Sequence, residues 1–289
     1  MNSRNYRIFK REMGQANHYL ITICVGLDAV KDGAKKKEDF HAMWNPKDAK
    51  ISAERSMLYA RKASLAWAVD NLDMYLRMCN RKPVLYGKEE STEIADTKHS
   101  VYKRYLTVIK HHTQIDSCQK AFVDLMICWR NNLIHFDADN SLQNENLLYL
   151  KNEVENDICI EKYNLDIRGM LQRFNNHECP TFKEVATMIS MTIHFVKTVD
   201  ELLLANVQQD IFLDNVVKEF IKQNKGKTEV FCRRNADENI VKKRIMQMLC
   251  TCQGISEDFY DEKGMEYLKL ISKMTEEEVL DYSLVETNI

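Results

Sequence analysis

Between Cys128 and Asp137 the chain reads Cys, Trp, Arg, Asn, Asn, Leu, Ile, His, Phe, Asp, which places a guanidinium (Arg130), an amide (Asn131) and an imidazole (His135) close together in sequence. A guanidinium stays protonated at any working pH and offers a planar fork of donors that fits a phosphate or a developing phosphorane. Imidazole is the side chain whose ordinary titration falls in the physiological range, so it can take a proton from a hydroxyl or return one to a leaving oxygen. An adjacent amide can hold the ring tautomer or the phosphate. The chemistry these types could perform together is proton transfer at a phosphoryl centre, provided one rigid element positions them.

That element is predicted to be a helix over about 116–136, opened by Asp116 as its N-cap. Phe122, Leu125, Met126, Trp129, Leu133 and Phe136 recur at three- and four-residue steps and make a buried stripe. Arg130, Asn131 and His135 lie off the stripe. Asn131 and His135, four apart, share a face, and Arg130 sits one position round, able to bend toward the imidazole.

The rest of the chain is built in the same way. With 3 Pro and 8 Gly in 289 residues and 45% hydrophobic content, collagen-like, disordered and β-rich classes are excluded, and an all-α fold is expected. Helices are predicted at about 15–32, 52–80, 99–112, 181–205, 210–223, 237–252, 257–272 and 276–284. Ser52 is the expected N-cap of the second, whose stripe is Leu58, Leu65, Ala66, Val69, Leu72 and Leu76. Thr181 with Glu184, and Thr275 with Glu278, are capping boxes. Residues 35–50 read as a connector, 84–98 as a loop and 137–180 as a polar insertion. No repeat of fixed period supports a solenoid. The apolar run Tyr19 to Leu27 is too short to span a bilayer and is followed by Asp28, Lys31 and Asp32 rather than a small-residue cleavage site. Nine scattered Cys and 14 Met suit a reducing compartment, so a cytoplasmic location is expected.

The segment Arg130-Asn131-Asn132-Leu133-Ile134-His135 resembles the HEPN superfamily, whose ribonucleases carry Arg, a polar residue that is often Asn, and a His after a short spacer on one helix of a helical bundle. Arg11 with His18, and Arg104 with His111, are also Arg–His pairs at short spacing, but Glu12 and Tyr105 stand where the polar residue is needed. The resemblance covers about 52–205. It implies a HEPN-like bundle over 51–205, carrying the insertion, with an N-terminal helical extension at 1–50 and a C-terminal helical region at 206–289. It further implies an endoribonuclease without metal or other cofactor, acting on single-stranded RNA through attack of the ribose 2′-OH, with Arg130, Asn131 and His135 as catalytic residues. A homodimer or higher homo-oligomer that pairs two such helices is implied, as is a toxin or antiphage-defence setting with an antitoxin or other defence partner. The alternative is a non-catalytic helical binding or scaffold protein that regulates a partner nuclease or nucleotidyltransferase. There Arg130 pairs with Asp137 or Asp139, and His135 is held by the helix macrodipole.

With 41 basic and 43 acidic residues the formal net charge is -2, so a polyanion must be met by a local patch. Lys218 to Arg244 holds nine basic residues against four acidic, and Glu257 to Glu286 ten acidic against three basic. Either the two regions are solvated faces that attract each other, or the first is a phosphate-binding stripe with Arg233, Arg234, Lys242 and Lys243 as RNA contacts. Lys103 and Arg104, with Lys110 and His111-His112 nearby, are further candidates to line an RNA path. Cys250 with Cys252, and His177 with Cys179, lack a second pair at zinc-site spacing, and no Walker loop, dinucleotide turn or nucleophile elbow is present.

Overall fold

The computed structural model describes residues 2–37, 39, 41–135, 140–152, 163–224, 231 and 237–284. Among these the ordered elements are helices: α1 (Arg4–Met13), α2 (Ala16–Lys31), α3 (Ala49–Cys79), α4 (Lys88–Asp96), α5 (Val101–His111), α6 (Ser117–Ile134), α7 (Asn144–Asn152), α8 (Ile167–Asn175), α9 (Phe182–Asn206), α10 (Gln209–Gln223), α11 (Glu238–Gln253), a 3-10 turn (Glu257–Phe259), α12 (Glu262–Ile271) and α13 (Glu276–Leu284). The protein is all-α, and among the described residues no helix is long and apolar enough to cross a membrane. The chain forms two compact units, each discontinuous in sequence: Phe9–Met74 with His99–Val196, and Met1–Ile8 with Tyr75–Lys98 and Lys197–Ile289.

Helix starts follow from single polar side chains that satisfy first-turn amides. Asp116 Oδ1 accepts from Gln119 N at 3.1 Å at the head of α6, and Ser100, Asp166, Asp237 and Asp261 cap α5, α8, α11 and α12. Both capping boxes close: Thr181 N donates to Glu184 Oε2 at 2.6 Å, and Thr275 N to Glu278 Oε2 at 2.7 Å. At α3 the expected cap is displaced, because Asp48 Oδ1 takes Ile51 N at 3.0 Å and starts the helix before Ser52. Gly254 ends α11 in the left-handed region (φ 76°), where an added Cβ would lie 2.7 Å from Asn2 O. Helix α1, the helix α4 in the expected loop, and the helices α7 and α8 in the expected insertion are short. Their apolar anchors are few, such as Met170, Leu171 and Phe174 of α8, so the surrounding polar residues dilute the periodicity.

In the first unit α6 is central. All residues from Ala121 to Trp129 are buried, so this helix has no solvent face over that stretch, where the sequence suggests a one-sided stripe. Trp129 Nε1 donates to Glu178 O at 2.9 Å and its ring meets Phe174 edge-on at 5.8 Å. Thr192 Oγ1 of α9 reaches Met126 Sδ at 3.2 Å, and Arg173 of α8 ion-pairs with Glu184, the buried capping-box acid of α9. Asp124, fully buried, accepts from Asn146 Nδ2 at 2.7 Å, Gln143 N at 2.9 Å and Cys128 Sγ at 3.4 Å, fastening α7 to α6. In the second unit α10 packs against α12 and α13, and Asp214 of α10 accepts from Tyr282 and pairs with Lys218 at 3.0 Å. Asp200, also fully buried, accepts from Ser3 N at 2.8 Å and Tyr75 OH at 3.1 Å.

Burial raises the Asp124 carboxyl above its ordinary value, against the pull of its donors. The folded state therefore holds the Asp124 proton more tightly than the unfolded chain does, and this group's contribution falls as pH rises from about 3.9 through the raised folded value. Urea unfolding is expected to show wild type losing stability relative to Asp124→Asn across that window, and a pH-independent difference contradicts it. At pH 7 Asp124→Ala, which strands the Asn146 and Gln143 donors, is expected to cost about 1–3 kcal/mol.

Candidate functional site

Helix α6 leaves the core one residue after Trp129. Arg130 and Asn131 are half-buried, and Ile134 and His135 are exposed. His135 is the C-cap, in extended backbone (φ -105°, ψ 117°), and its N–H donates to Asn131 O at 2.9 Å. This departure from helical geometry changes which side chain meets the ring. Arg130, five residues back, places Nη1 3.3 Å from His135 Nε2, while Asn131 contributes its carbonyl to the helix end. Asn132 fastens the outgoing chain, donating Nδ2 to Asn140 O at 3.1 Å and accepting Asn140 N at 2.9 Å.

A guanidinium only donates, so the contact places the Nε2 lone pair toward Arg130 and leaves the ring proton on Nδ1, an assignment made from geometry. The same guanidinium faces an acid that the sequence does not reveal as its partner, Asp70 of α3, with Nη2 3.6 Å from Oδ1. At that separation the pair is electrostatic rather than a close hydrogen bond. Its partners differ in exposure: the Arg130 side chain is 14% exposed and the Asp70 side chain 74%. Burial lowers the Arg130 pKa from its ordinary value, opposed by Asp70 and then Asp73. Arg130 Nε is buried and has no hydrogen-bond partner among the described residues. The helix end thus places an exposed imidazole beside a cation whose donors are not all engaged among the described residues. Asp137 and Asp139, the sequence candidates for pairing Arg130, lie outside the described residues.

The sequence candidates for phosphate contact separate. Arg104 is 3% exposed and holds Asp73 Oδ1 through Nε and Nη2, each at 2.8 Å, so it is an internal ion-pair residue rather than part of an RNA path. Lys218 is likewise buried, between Asp214 and the Tyr282 ring at 4.6 Å. Lys103 and Lys243 are exposed, on α5 of the first unit and α11 of the second, and Lys242 is half-buried. Arg233 and Arg234 lie outside the described residues. His112 is buried. Among the described residues no group of three or more His, Cys, Asp and Glu side chains is placed to hold a metal ion. Comparison with family models, curated proteins and solved structures gives no match.

The unequal exposure of the Arg130–Asp70 pair sets a stability test. An ion pair with one partner in water contributes little, so Asp70→Asn is expected to change the unfolding free energy by less than about 1 kcal/mol. A loss well above that, measured by urea unfolding, would make Asp70 a structural counter-ion instead of a replaceable one.

Proposed function

We propose that the chain is an endoribonuclease of the HEPN type that cuts single-stranded RNA without a metal, with Arg130 and His135 as the catalytic pair and Asn131 in support. The observation that carries this reading is the 3.3 Å approach of Arg130 Nη1 to His135 Nε2 at the exposed C-terminal end of a helix whose middle is buried. The ribose supplies its own nucleophile. Its 2′-oxygen bonds to phosphorus as the 2′-proton passes to a base, the bond to the 5′-oxygen breaks, and that oxygen is protonated, leaving a 2′,3′-cyclic phosphate. Arg130 supplies the cation for the charge that gathers on the non-bridging oxygens, and His135 serves one of the two proton transfers.

Because one imidazole serves one proton transfer, a homodimer that joins two such helix ends belongs to the proposal, in a cytoplasmic toxin or antiphage-defence system with an antitoxin or other protein partner. A second reading, a non-catalytic helical scaffold that regulates a partner nuclease or nucleotidyltransferase, draws on the Asp70 carboxylate that already faces Arg130.

Purified chain incubated with labelled RNA in EDTA is expected to cut it and leave 2′,3′-cyclic ends, while DNA of the same sequence stays whole. His135→Ala is expected to abolish cleavage and Arg130→Ala to lower it by at least about a hundredfold, the usual scale for loss of one transition-state donor. Dependence on Mg²⁺, or activity that survives loss of both residues, excludes this site. Light scattering is expected to give at least twice the mass of one chain.

A further inference from the structure

With Arg104 and Lys218 engaged in buried ion pairs, a nucleic-acid path must be sought elsewhere. Among the exposed apolar residues of the first unit, which include Tyr19 and Val25 of α2, α3 carries two large aromatics beside cations. On α3, Tyr59 is 76% and Trp67 50% exposed, two large aromatics presented to water. Eight residues apart on a helix, they lie about 12 Å apart along the axis and about 80° apart around it, on one broad face with exposed Ala63 between them. Trp67 lies one turn from Asp70, the acid that faces Arg130, and buried Asn71 Nδ2 donates to its carbonyl at 2.9 Å. Toward the start of α3 the same face opens into a groove of about 580 Å³, lined in part by Lys47, Ser52, Arg55, Ser56 and Tyr59.

Charge favours a polyanion there. From Lys47 to Lys62 the basic residues are Lys47, Lys50, Arg55, Arg61 and Lys62, against Asp48 and Glu54. Arg61 is held by Met57 O and Pro180 O, while exposed Lys47, Arg55 and Asp48, whose Oδ1 accepts from Ile51 N, line the groove as two cations against one carboxylate. Flat aromatic faces interleaved with cations are how proteins follow a single strand, since every base has a π-face and every linkage a charge. The axial rise of about 12 Å between the two positions corresponds to about three or four nucleotides at a stacked rise of about 3.4 Å.

We infer that this face of α3 is a track for single-stranded RNA leading to the Arg130–His135 pair. Trp67 stacks a base beside the scissile phosphate, Tyr59 stacks one further along, and Lys47 and Arg55 neutralise phosphates in the groove. The inference rests on the ribonuclease reading of that pair.

The test uses the full chain carrying His135→Ala, so that probes are not cut, with fluorescein-labelled oligouridylate and oligothymidylate of ten residues. Stacking does not use the 2′-OH, so both probes are expected to bind. Adding Trp67→Ala or Tyr59→Ala is expected to weaken binding at least about fivefold each, and Trp67→Phe to retain most of it. Lys47→Ala with Arg55→Ala is expected to flatten the slope of log affinity against log salt by about 1.4. All four positions are exposed, and circular dichroism checks that each variant is folded. Absence of probe binding by the parent chain, or unchanged affinity in both aromatic variants, overturns the track. So does a fall in assembly mass in those variants with affinity unchanged, because a second copy then covers the face. Loss of binding in the aromatic variants, together with no RNA cleavage by the wild-type chain, keeps the track and removes the ribonuclease reading. RNA cleavage with unaltered variant binding does the reverse.

Discussion

The site depends on one packing constraint: α6 has no exposed residue from Ala121 to Trp129. A helix enclosed on all sides cannot present polar chemistry along its length, because each polar group it buries must find a partner inside. Asp124 does so through Asn146 and Gln143, and is thereby committed to holding α7. What α6 offers to solvent is confined to its first and last turns, and of these the last carries Arg130 and His135. Trp129, pinned by Glu178 and Phe174, fixes the backbone from which Arg130 departs, and the extended cap at His135 turns the ring back toward that guanidinium. The Arg130–His135 contact is thus set by burial on one side and by helix termination on the other.

The sequence carried the local part of this design well. Asp116, Thr181 with Glu184, and Thr275 with Glu278 each mark a helix start by a chemistry that acts within four residues, so no tertiary information is needed to read them. Periodicity located the long helices for the same reason. It failed for α4 and α7, which have few apolar anchors, and for α8, whose Ile167, Met170, Leu171 and Phe174 keep helical spacing but over little more than two turns among polar residues. For charged residues the limit is different. Arg104 and Lys103 are neighbours of like type, yet one is buried against Asp73 and the other is exposed. Only the partner helix decides between them, and α3 lies more than twenty residues away in sequence. Asp70 is hidden by the same distance. The stripe of α3 packs at Leu65, Val69, Leu72 and Leu76, whereas Leu58 is exposed, and what the opposite face meets depends on where α6 ends.

The Asp70 carboxylate beside Arg130 looks at first like an obstacle to a phosphate. Magnitudes argue otherwise. At 3.6 Å, with the carboxylate largely in water, the attraction approaches the weak, screened limit of about 1 kcal/mol. A phosphate that takes two close charge-assisted donors from the same guanidinium gains more per contact, and does so where Arg130 is already largely desolvated. Among the described residues the buried Nε has no hydrogen-bond partner, so the donors of the guanidinium are not all engaged. On the proposed ribonuclease reading, a loosely held acid keeps a half-buried cation from standing unpaired and would yield to a phosphate.

The count of proton carriers then limits what one chain can do. In-line displacement at phosphorus takes a proton from the attacking oxygen on one side and delivers one to the leaving oxygen on the other. A single imidazole, fixed at 3.3 Å from Arg130 by its own helix end, serves one of those positions. Asn131 transfers no proton, and Arg130 holds its proton too firmly to act as an acid near neutrality. Among the groups that form this helix end, none completes the pair. Water at the open side could complete it with a modest rate, and a second helix end could complete it with a higher one. The exposure of His135 and Ile134 leaves room for such an approach, so on the proposed ribonuclease reading one chain would supply half of the groups that in-line RNA cleavage requires.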